Sequence, residues 1–253
     1  MRILANDGLD MGAIEKFREN NIEVDVNHYD KDELNKVIGN YDILIIRSAT
    51  SVDKKLIEAA KGTKLNLIIR AGVGLDNIDV DYAENNGIMV RNTPNSSTNS
   101  VAELVLGHIL SISRYINISN VTMREGKWNK KAYTGVEIYG KTLGIIGFGR
   151  IGKALGEKAE ALGMDVVFYD KLIKFDNKFK YLPLEELLKK VDFISLHIPA
   201  TDKPIIGEEE LNLMKEGVFI INAARGGIID ENALLWALNN GKVAGAGLDV
   251  FMR

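Results

Sequence analysis

The feature that most constrains the fold of this chain is a glycine-rich segment, residues 142–152, which reads Thr-Leu-Gly-Ile-Ile-Gly-Phe-Gly-Arg-Ile-Gly. An apolar run leads into Gly147, Gly149 and Gly152, and a helix-forming stretch follows at once. This Gly-x-Gly-x-x-Gly spacing between a strand and a helix is typical of a turn that binds a dinucleotide. We expect Gly147 to form the tight turn, Gly149 to let a pyrophosphate approach the backbone, and Gly152 to let the helix close on the strand.

The segment after the glycines predicts the rest of a dinucleotide site. The expected helix begins at Arg150 and Ile151, where free N–H groups and the helix dipole favour the negative charge of phosphates. A second predicted strand, residues 165–169, ends in Asp170, close to the roughly 20-residue spacing at which an acid binds the ribose hydroxyls of NAD. A carboxylate there repels the additional phosphate of NADP. The sequence therefore predicts NAD as the cofactor, although two lysines follow within four residues.

The composition restricts the class of protein. With 253 residues, of which 46% are hydrophobic and 26% charged, the chain can form two domains with buried cores. The formal net charge of −3 gives no basis for nucleic-acid binding. No apolar run approaches the ~20 residues that span a bilayer, and the N-terminus lacks a signal peptide's apolar core, so we expect no membrane association and a cytoplasmic location. The chain has no cysteine and three histidines, His28, His108 and His197, so no metal site is expected.

The first part of the chain, residues 1–94, alternates short apolar runs with amphipathic stretches. This alternation predicts a parallel sheet with crossover helices, and the near-continuous apolar runs indicate a sheet covered on both faces. No Gly-x-Gly-x-x-Gly occurs here. We therefore predict an α/β protein with a flavodoxin-like substrate domain over residues 1–94 and a Rossmann NAD-binding domain over residues 95–253. The predicted strands of the first domain are residues 2–5, 23–26, 43–46, 67–69 and 88–90.

Two of these strands end in arginine. Arg47 ends one apolar run, and Arg70 ends another that continues as Ala-Gly-Val-Gly. A single strand-end arginine is commonly a solvated surface residue, but ligands of open α/β sheets bind beyond the carboxyl ends of the strands. We therefore expect both guanidinium groups to face one cleft. The glycine-rich turn after Arg70 would bring backbone N–H groups to the same edge.

A long apolar helix is predicted at residues 99–124. Ser100 and Glu103 fit a capping box at its start. Its apolar residues fall on more than one face, which indicates that both sides are covered. We expect the sheet of its own domain to cover one side and a second copy of the chain to cover the other, so the sequence predicts a homodimer. Residues 125–141 show neither a helical nor a strand period and are interpreted as an arm.

Three further predicted strands lead into candidate binding turns. Residues 192–196 lead into His-Ile-Pro, residues 218–221 lead into Asn-Ala-Ala-Arg-Gly-Gly, and residues 244–248 lead into an aspartate. Arg225, in the second of these turns, is a third arginine at the carboxyl end of a strand. Residues 171–180, which are polar and basic, are interpreted as a solvated loop.

The motifs taken together resemble the D-isomer-specific 2-hydroxyacid dehydrogenase family over essentially the whole chain. The resemblance rests on Arg47-Ser48-Ala49-Thr50 and on residues 70–79, 92–95, 147–152, 222–230 and 245–251. It implies a lid-like substrate domain, a Rossmann domain, and hydride transfer between NAD and a small anionic 2-hydroxy or 2-oxo acid.

The resemblance also implies roles for particular residues. Arg225 would be a catalytic residue that holds the substrate's carboxylate and carbonyl, while Arg47, Arg70 and Asn95 would bind the substrate's other end. The complete set of expected cofactor contacts is Val73, Gly147, Gly149, Arg150, Ile151, Gly152, Asp170, Ile198, Pro199, Ala223, Ala224, Arg225 and Asp249.

The chain departs from the family pattern at its end, which reads Asp249-Val250-Phe251-Met252-Arg253. In the family, a catalytic glutamate follows the Asp-Val-Phe motif, and a histidine in a Thr-Pro-His context comes later. The three histidines of this chain lie in other motifs. We therefore expect a C-terminally truncated dehydrogenase that lacks the return segment of the substrate domain and the last strand region of the Rossmann domain. Such a chain would bind NAD and turn over little substrate.

The resemblance implies three alternative functions. Within the family it is closest to members that oxidise 3-phosphoglycerate to 3-phosphohydroxypyruvate, the first step of phosphorylated serine biosynthesis. The second alternative is a glyoxylate or hydroxypyruvate reductase, although Arg47 and Arg70 favour a substrate with more negative charge than glyoxylate. The third is a non-catalytic NAD-sensing binding protein.

Overall fold

The computed structural model describes residues 1–252 and divides the chain into two compact units, Met1–Ser97 and a second unit that begins at Thr98. The boundary predicted from the sequence, after Pro94, lies three residues earlier. The boundary follows a turn in which the Ser96 hydroxyl donates to the carbonyl of Thr93 (2.9 Å). Each unit has its own sheet and its own hydrophobic core.

The first unit is built on a five-stranded parallel sheet. Its strands are β1 Arg2–Ala5, β2 Glu23–Asp25, β3 Ile43–Ile46, β4 Leu67–Arg70 and β5 Met89–Asn92. They lie in the order β2-β1-β3-β4-β5, which is the flavodoxin-like order, so the predicted fold class is confirmed. Successive side chains of β3 cover opposite faces, with Leu44 in the larger core cluster and Ile45 in the smaller one.

Four short helices connect these strands, and a 3₁₀ turn, Ile38–Asn40, follows the second of them. They are α1 Met11–Glu19, α2 Lys31–Val37, α3 Lys54–Ala60 and α4 Val80–Asn85. Each begins at an aspartate whose carboxylate accepts hydrogen bonds from N–H groups of the first turn: Asp10, Asp30, Asp53 and Asp79. An aspartate at this position satisfies free N–H groups and interacts favourably with the helix dipole.

The second unit is built on a six-stranded parallel sheet. Its strands are β6 Thr142–Ile146, β7 Asp165–Tyr169, β8 Lys180–Tyr181, β9 Phe193–Leu196, β10 Val218–Asn222 and β11 Val243–Leu248. The order β11-β10-β9-β6-β7-β8 is the Rossmann order, so this part of the fold prediction is also confirmed.

One strand of this sheet was not predicted. Residues 171–180 were interpreted as a loop, but Lys180 and Tyr181 pair with Val167 and Phe168 of β7. The short strand is fixed by its neighbours: Phe179 is buried, and the ring of Tyr181 lies edge-on to Phe168 at 5.7 Å. Two residues are too few for a strand period to show in the sequence.

The helices of the second unit are α5 Thr98–Arg114, α6 Ile116–Arg124, α7 Arg150–Ala161, α8 Leu184–Lys190, α9 Glu208–Leu213 and α10 Glu231–Asn239. The prediction of one helix over residues 99–124 is wrong, because Tyr115 takes a left-handed conformation (φ 56°) and bends the chain by 63°. The N–H of Val136 donates to the carbonyl of Ser113 at 2.8 Å, and the ring of Tyr133 stacks on Tyr115. These contacts with the following segment stabilise the break.

The predicted capping box at the start of this helix is also wrong. Because α5 begins at Thr98, Ser100 lies inside the first turn and cannot be the N-cap residue. Among residues 1–252, no single helix is long and apolar enough to cross a membrane; α5 and α6 meet that test only as a bent pair, by length and composition.

Candidate active site

The carboxyl ends of five strands of the second sheet lie in one row. Ile146 of β6 pairs with Tyr169 of β7 and Leu196 of β9, and Asn222 of β10 pairs with Leu196 and with Leu248 of β11. The residues that follow these strand ends, and so lie at the same edge, are Gly147, Asp170, His197, Ala223 and Asp249. The strand order reverses between β6 and β9, which is where open α/β sheets bind their ligands.

The three glycines of the β6–α7 turn have different surroundings. Gly147 has φ +93°, and a Cβ there would lie 2.5 Å from the carbonyl oxygen of His197. A Cβ on Gly152 would collide with the carbonyl oxygen of Gly147, so helix α7 approaches the strand as closely as glycine allows. A Cβ on Gly149 would meet no protein atom within 4 Å. The space beside Gly149 is therefore open to a ligand.

The N-terminus of α7 is left open by the protein. Gly149 is its N-cap residue and has no side chain to bond the first turn, and no acidic residue lies in that turn. The first backbone hydrogen bond of the helix runs from Lys153 N to Gly149 O, so the N–H groups of Arg150 and Ile151 remain for another acceptor. Such N–H groups with the positive end of the helix dipole fit the pyrophosphate of a dinucleotide.

Asp170 joins the glycine turn to the loop after β7. One carboxylate oxygen accepts the N–H of Phe148 (2.8 Å), and the other accepts the N–H groups of Leu172 (2.8 Å) and Ile173 (2.9 Å). Partial burial raises the pKa of Asp170, but these three hydrogen bonds outweigh it and hold the pKa below its usual value. The group is therefore a carboxylate at neutral pH, as a ribose-binding acid must be.

The turn after β9 covers the glycines. The side chain of Ile198 lies over Gly147, where an added Cβ would be 2.8 Å from its Cγ2, and Pro199 is exposed beside it. The His197 ring is directed back to the sheet, with Nε2 2.9 Å from the hydroxyl of Ser195. Burial lowers the pKa of His197 to about 4, so the ring is neutral at pH 7.

The turn after β10 is held by Asn222, a residue to which no role was assigned from the sequence. Its side-chain amide donates to the carbonyl of Arg225 (2.8 Å), and its side-chain oxygen accepts the N–H of Ala224 (3.0 Å). Asn222 is buried, so this bridge is shielded from water. The signal that could have found it is an asparagine between a buried strand and a turn of small residues.

Arg225 itself lies half-buried in this turn, with Nη1 donating to the carbonyl of Ala224 at 2.7 Å. Asp249 is exposed at the end of β11, and its N–H donates to the carbonyl of Asn222 (3.0 Å). The following residues lie on the same turn, because a Cβ on Gly226 would collide with the carbonyl oxygen of Phe251. The predicted residues of the second unit thus lie along one sheet edge.

In the first unit, Arg47 belongs to a tightly held loop. The carboxylate of Asp7 accepts the N–H of Arg47 (2.6 Å), the N–H of Thr50 (3.1 Å) and the hydroxyl of Thr50 (2.5 Å). The side-chain amide of Asn77 donates to the carbonyls of Arg47 (2.8 Å) and Thr50 (2.6 Å). The side chain of Arg47 is exposed and, among residues 1–252, forms no ion pair or side-chain hydrogen bond.

The expectation that Arg47 and Arg70 share one cleft is not met within the first unit. The cleft beside Arg47 measures about 630 Å³ and is lined by Asp7, Gly8, Leu9, Asp10, Arg47 and Ala71. The guanidinium of Arg70 instead lies against the backbone of Gly72, where it fills the space of a Cβ. Arg70 pairs with Ile46, one register step before Arg47, and adjacent positions of a strand direct their side chains to opposite faces.

The other two predicted residues of the first unit lie at the same sheet edge. The carbonyl of Val73 accepts the side-chain amide of Asn92 (2.6 Å), which fixes the turn after β4. Asn95 is exposed in the turn after β5. No group of three or more histidine, aspartate or glutamate side chains in the described part of the chain is arranged to hold a metal ion.

An open helix N-terminus at the switch point of a Rossmann sheet, with a carboxylate at the end of the neighbouring strand, defines the second unit as the nucleotide domain of an NAD-dependent dehydrogenase. A sequence profile described as "D-isomer specific 2-hydroxyacid dehydrogenase, NAD binding domain" matches residues 106–253. The chain belongs to the D-isomer-specific 2-hydroxyacid dehydrogenase family.

The proteins that are similar to this chain include enzymes with different activities. The chain is 48% identical to a hydroxypyruvate reductase of Thermotoga maritima, over 99% of the chain and 82% of that protein. It is 44% identical to a D-3-phosphoglycerate dehydrogenase of Methanocaldococcus jannaschii, over 99% of the chain and 49% of that protein. Among solved structures, D-lactate dehydrogenase of Aquifex aeolicus in complex with NAD and lactic acid superimposes with a TM-score of 0.84 at 31% identity, covering 99% of this chain and 77% of that one. The chain therefore spans about half the length of its phosphoglycerate dehydrogenase relative.

Proposed function

We propose that the chain acts with NAD on a three-carbon D-2-hydroxy acid, and that 3-phosphoglycerate and 3-phosphohydroxypyruvate are its substrate pair. The observation that carries the proposal is Arg47, an exposed cation in a loop that Asp7 and Asn77 hold with five hydrogen bonds. A loop fixed in this way presents its charge to a ligand without first having to be ordered. The similarity to a phosphoglycerate dehydrogenase supports the same substrate.

In this proposal, Arg225 binds the carboxylate of the substrate and the oxygen on C2. Its guanidinium offers a planar fork of donors that matches a carboxylate, and it stays charged at all physiological pH values. NAD bound at this site would supply the hydride acceptor for C2 of the hydroxy acid, and the hydroxyl proton would leave to solvent water. Arg225 would orient the substrate and stabilise negative charge on the C2 oxygen, because a guanidinium donates hydrogen bonds and is not a base for that proton.

The residues of the second unit hold the cofactor in this scheme. Gly149 and the first-turn N–H groups of Arg150 and Ile151 bind the pyrophosphate, and Asp170 binds the ribose hydroxyls. Ile198 and Pro199 cover the adenine side. The open space at Gly149 and the ionised state of Asp170 support this assignment.

A second candidate function is the reduction of hydroxypyruvate. Two observations favour it: the 48% identity to a hydroxypyruvate reductase, and the carboxylates of Asp7 and Asp10 in the cleft that Arg47 lines. These carboxylates reduce the net positive charge that a phosphate would meet. Because hydroxypyruvate lacks the phosphate, the two functions differ in their dependence on Arg47.

The role of Arg47 gives the test. Changing Arg47 to alanine should weaken binding of 3-phosphoglycerate to the NAD-loaded chain roughly 10-fold or more, because a hydrogen bond to a charged group contributes about 1.5–3 kcal/mol. Binding of D-glycerate, which lacks the phosphate, should change by less than about 3-fold. Titration calorimetry of both ligands on both proteins measures the difference. Equal losses for the two ligands would contradict phosphate recognition by Arg47, and tighter binding of D-glycerate by the unchanged chain would favour the second candidate.

We also propose that the chain forms a homodimer through α5, α6 and the following arm. Large exposed apolar side chains are concentrated here, and α6 buries none of its residues. Those in this segment are Leu104, Leu110, Tyr115, Ile116, Ile118, Val121, Met123, Trp128, Val136 and Tyr139. Apolar surface of this extent is typical of a permanent interface between subunits.

Leu110 is the position at which to test the dimer. Its side chain is partly exposed on α5, so Leu110→Glu would place a charge in the interface and should give monomers in sedimentation at micromolar concentration. Leu106, by contrast, packs on the core of its own unit and would report on folding instead. Leu235→Glu, on the exposed face of α10, is the matched control and should leave the dimer intact. A monomer before any substitution would refute the proposed interface.

A further inference from the structure

The loop after β7 brings a second charge to the ribose end of the cofactor site. It begins at Asp170, whose carboxylate accepts the N–H groups of Leu172 and Ile173, so that the chain turns back on itself. The turn returns Lys174 to its start, where Nζ donates to the backbone carbonyl of Asp170 at 3.0 Å. The loop thus places an ammonium group at the backbone carbonyl of the residue whose carboxylate is expected to bind the ribose.

Lys174 is held in this position by two aromatic side chains. Its Nζ donates to the hydroxyl of Tyr181 at 2.7 Å, and it lies 4.7 Å from the ring centre of Tyr181 and 5.3 Å from that of Tyr169. Contacts between a cation and the face of an aromatic ring are attractive. The hydrogen bond to Tyr181 and the nearby tyrosine and aspartate groups raise the pKa of Lys174, so it remains charged. The Lys174 side chain is therefore held in place by Asp170, Tyr169 and Tyr181.

We propose that Lys174 is a specificity-determining residue of the cofactor site, which provides a counter-charge for the 2′-phosphate of NADP and so lets the chain bind NADP as a secondary cofactor. An ammonium carries three donors, and two of them are used by the carbonyl of Asp170 and the hydroxyl of Tyr181. The third is left for a ligand oxygen. The inference depends on the NAD site and is independent of which hydroxy acid the enzyme uses.

The two charges act in opposite directions on the choice of cofactor. The carboxylate of Asp170 accepts hydrogen bonds from ribose hydroxyls and repels a phosphate, so NAD remains the preferred cofactor. The ammonium of Lys174 attracts the same phosphate and makes the penalty for NADP smaller than a lone carboxylate would impose. Lys171, one residue from Asp170, is exposed and forms no ion pair or hydrogen bond among the described residues. It has the same charge as Lys174 without the same fixed position.

The test compares Lys174→Met with Lys171→Met and measures the dissociation constants of NAD and NADP by titration calorimetry on the full chain. We expect Lys174→Met to weaken NADP binding about 10-fold and NAD binding less than 2-fold, as is typical for the loss of one charge-assisted contact to a phosphate. Lys174→Arg, which keeps the charge, should retain most of the NADP affinity. Added salt should weaken NADP binding more in the unchanged chain than in Lys174→Met, because screening removes an attraction that the variant already lacks.

Three results would overturn the proposal. NADP affinity that is the same in Lys174→Met as in the unchanged chain would show that Lys174 does not meet the phosphate. Equal losses for NAD and NADP would show that Lys174 only shapes the loop. An equal loss of NADP affinity in Lys171→Met would show that general positive charge, and not the position of Lys174, is responsible. Thermal melting of each variant confirms that the loop change leaves the unit folded.

Discussion

Alanine at Gly152 should lower the temperature at which the NAD-binding unit unfolds, whereas alanine at Gly149 should leave folding almost unchanged and weaken NAD binding. A Cβ at Gly152 would collide with the carbonyl oxygen of Gly147, so helix and strand must separate, at a cost of about 3 kcal/mol for overpacking of this kind. For a unit of this size that corresponds to a fall in Tm of roughly 6–12 °C. A Cβ at Gly149 meets no protein atom within 4 Å, and its φ of −75° suits alanine.

The loss at Gly149 should appear in NAD affinity. Its Cβ would occupy the space through which a pyrophosphate reaches the helix N-terminus, so we expect NAD binding to weaken by about 10-fold or more. The matched control is Gly156→Ala, one turn further along α7 than Gly152, where a Cβ would make only ordinary van der Waals contacts, the nearest at 3.4 Å. That change should stabilise the unit by up to about 1 kcal/mol and leave NAD affinity unaltered, because alanine is the better helix former. Calorimetric melting and NAD titration on the three variants separate the roles, and a Gly149→Ala protein with unchanged NAD affinity would contradict this account of the turn.

The parts of the fold that could be predicted from the sequence depend on local patterns. The strand at residues 43–46 is an unbroken apolar run that ends at a charged residue, and the mostly apolar run at residues 142–146 ends at a glycine. Each forms the strand expected of it. Alternation of such runs with helical stretches restricts the connections to right-handed crossovers and the sheets to a few orders. This is why both parallel sheets were predictable without knowledge of any distant contact.

The errors lie where distant contacts decide the structure. No glycine or proline marks the break at Tyr115; the break depends on the arm, through the hydrogen bond from Val136 to Ser113 and the stacking of Tyr133 on Tyr115. The short strand β8 likewise depends on Phe168 beneath it. A hydrophobic period does not report such contacts, because they involve residues that are far apart in sequence.

The candidate site divides in the same way. Gly149 and Asp170 could be located from the sequence because their motif fixes backbone geometry as well as residue type. The sequence showed that Arg47 and Arg70 lie at strand ends, but it did not show which face of the sheet each side chain is on. Arg70 pairs with Ile46, so the two arginines differ by one register step, and one step changes the face. The side-chain positions of Asn222 and Lys174 could not be predicted from the sequence, because both side chains are held by hydrogen bonds that form only in the folded turn.

Changing Arg225 to alanine should cause the largest loss of substrate binding of any substitution in the second unit. If both branches of its guanidinium hold the substrate carboxylate and carbonyl, two charge-assisted contacts are lost, with a combined contribution of about 3 kcal/mol or more. We therefore expect hydroxypyruvate to bind the NADH-loaded chain roughly 100-fold more weakly. Arg225→Lys should restore only part of this affinity, because a single ammonium cannot reproduce the planar fork. NADH affinity should fall far less, because the glycine turn and Asp170 remain.

Lys215→Ala provides the control for loss of positive charge. Lys215 forms an ion pair with Asp192 at 2.9 Å. Lys215 precedes β10 and Asp192 precedes β9, whereas Arg225 follows β10, so the ion pair lies at the opposite edge of the sheet from Arg225. The control removes one cation from the unit without touching the proposed site, and it should leave hydroxypyruvate binding within about 2-fold of the unchanged chain. Calorimetric titration of hydroxypyruvate into each NADH-loaded protein measures the effect. The bridge from Asn222 reaches only the backbone carbonyl of Arg225, so Arg225→Ala keeps the turn and tests the side chain alone. Similar affinities of the Arg225→Ala and Lys215→Ala proteins for hydroxypyruvate would mean that the Arg225 side chain does not hold the substrate.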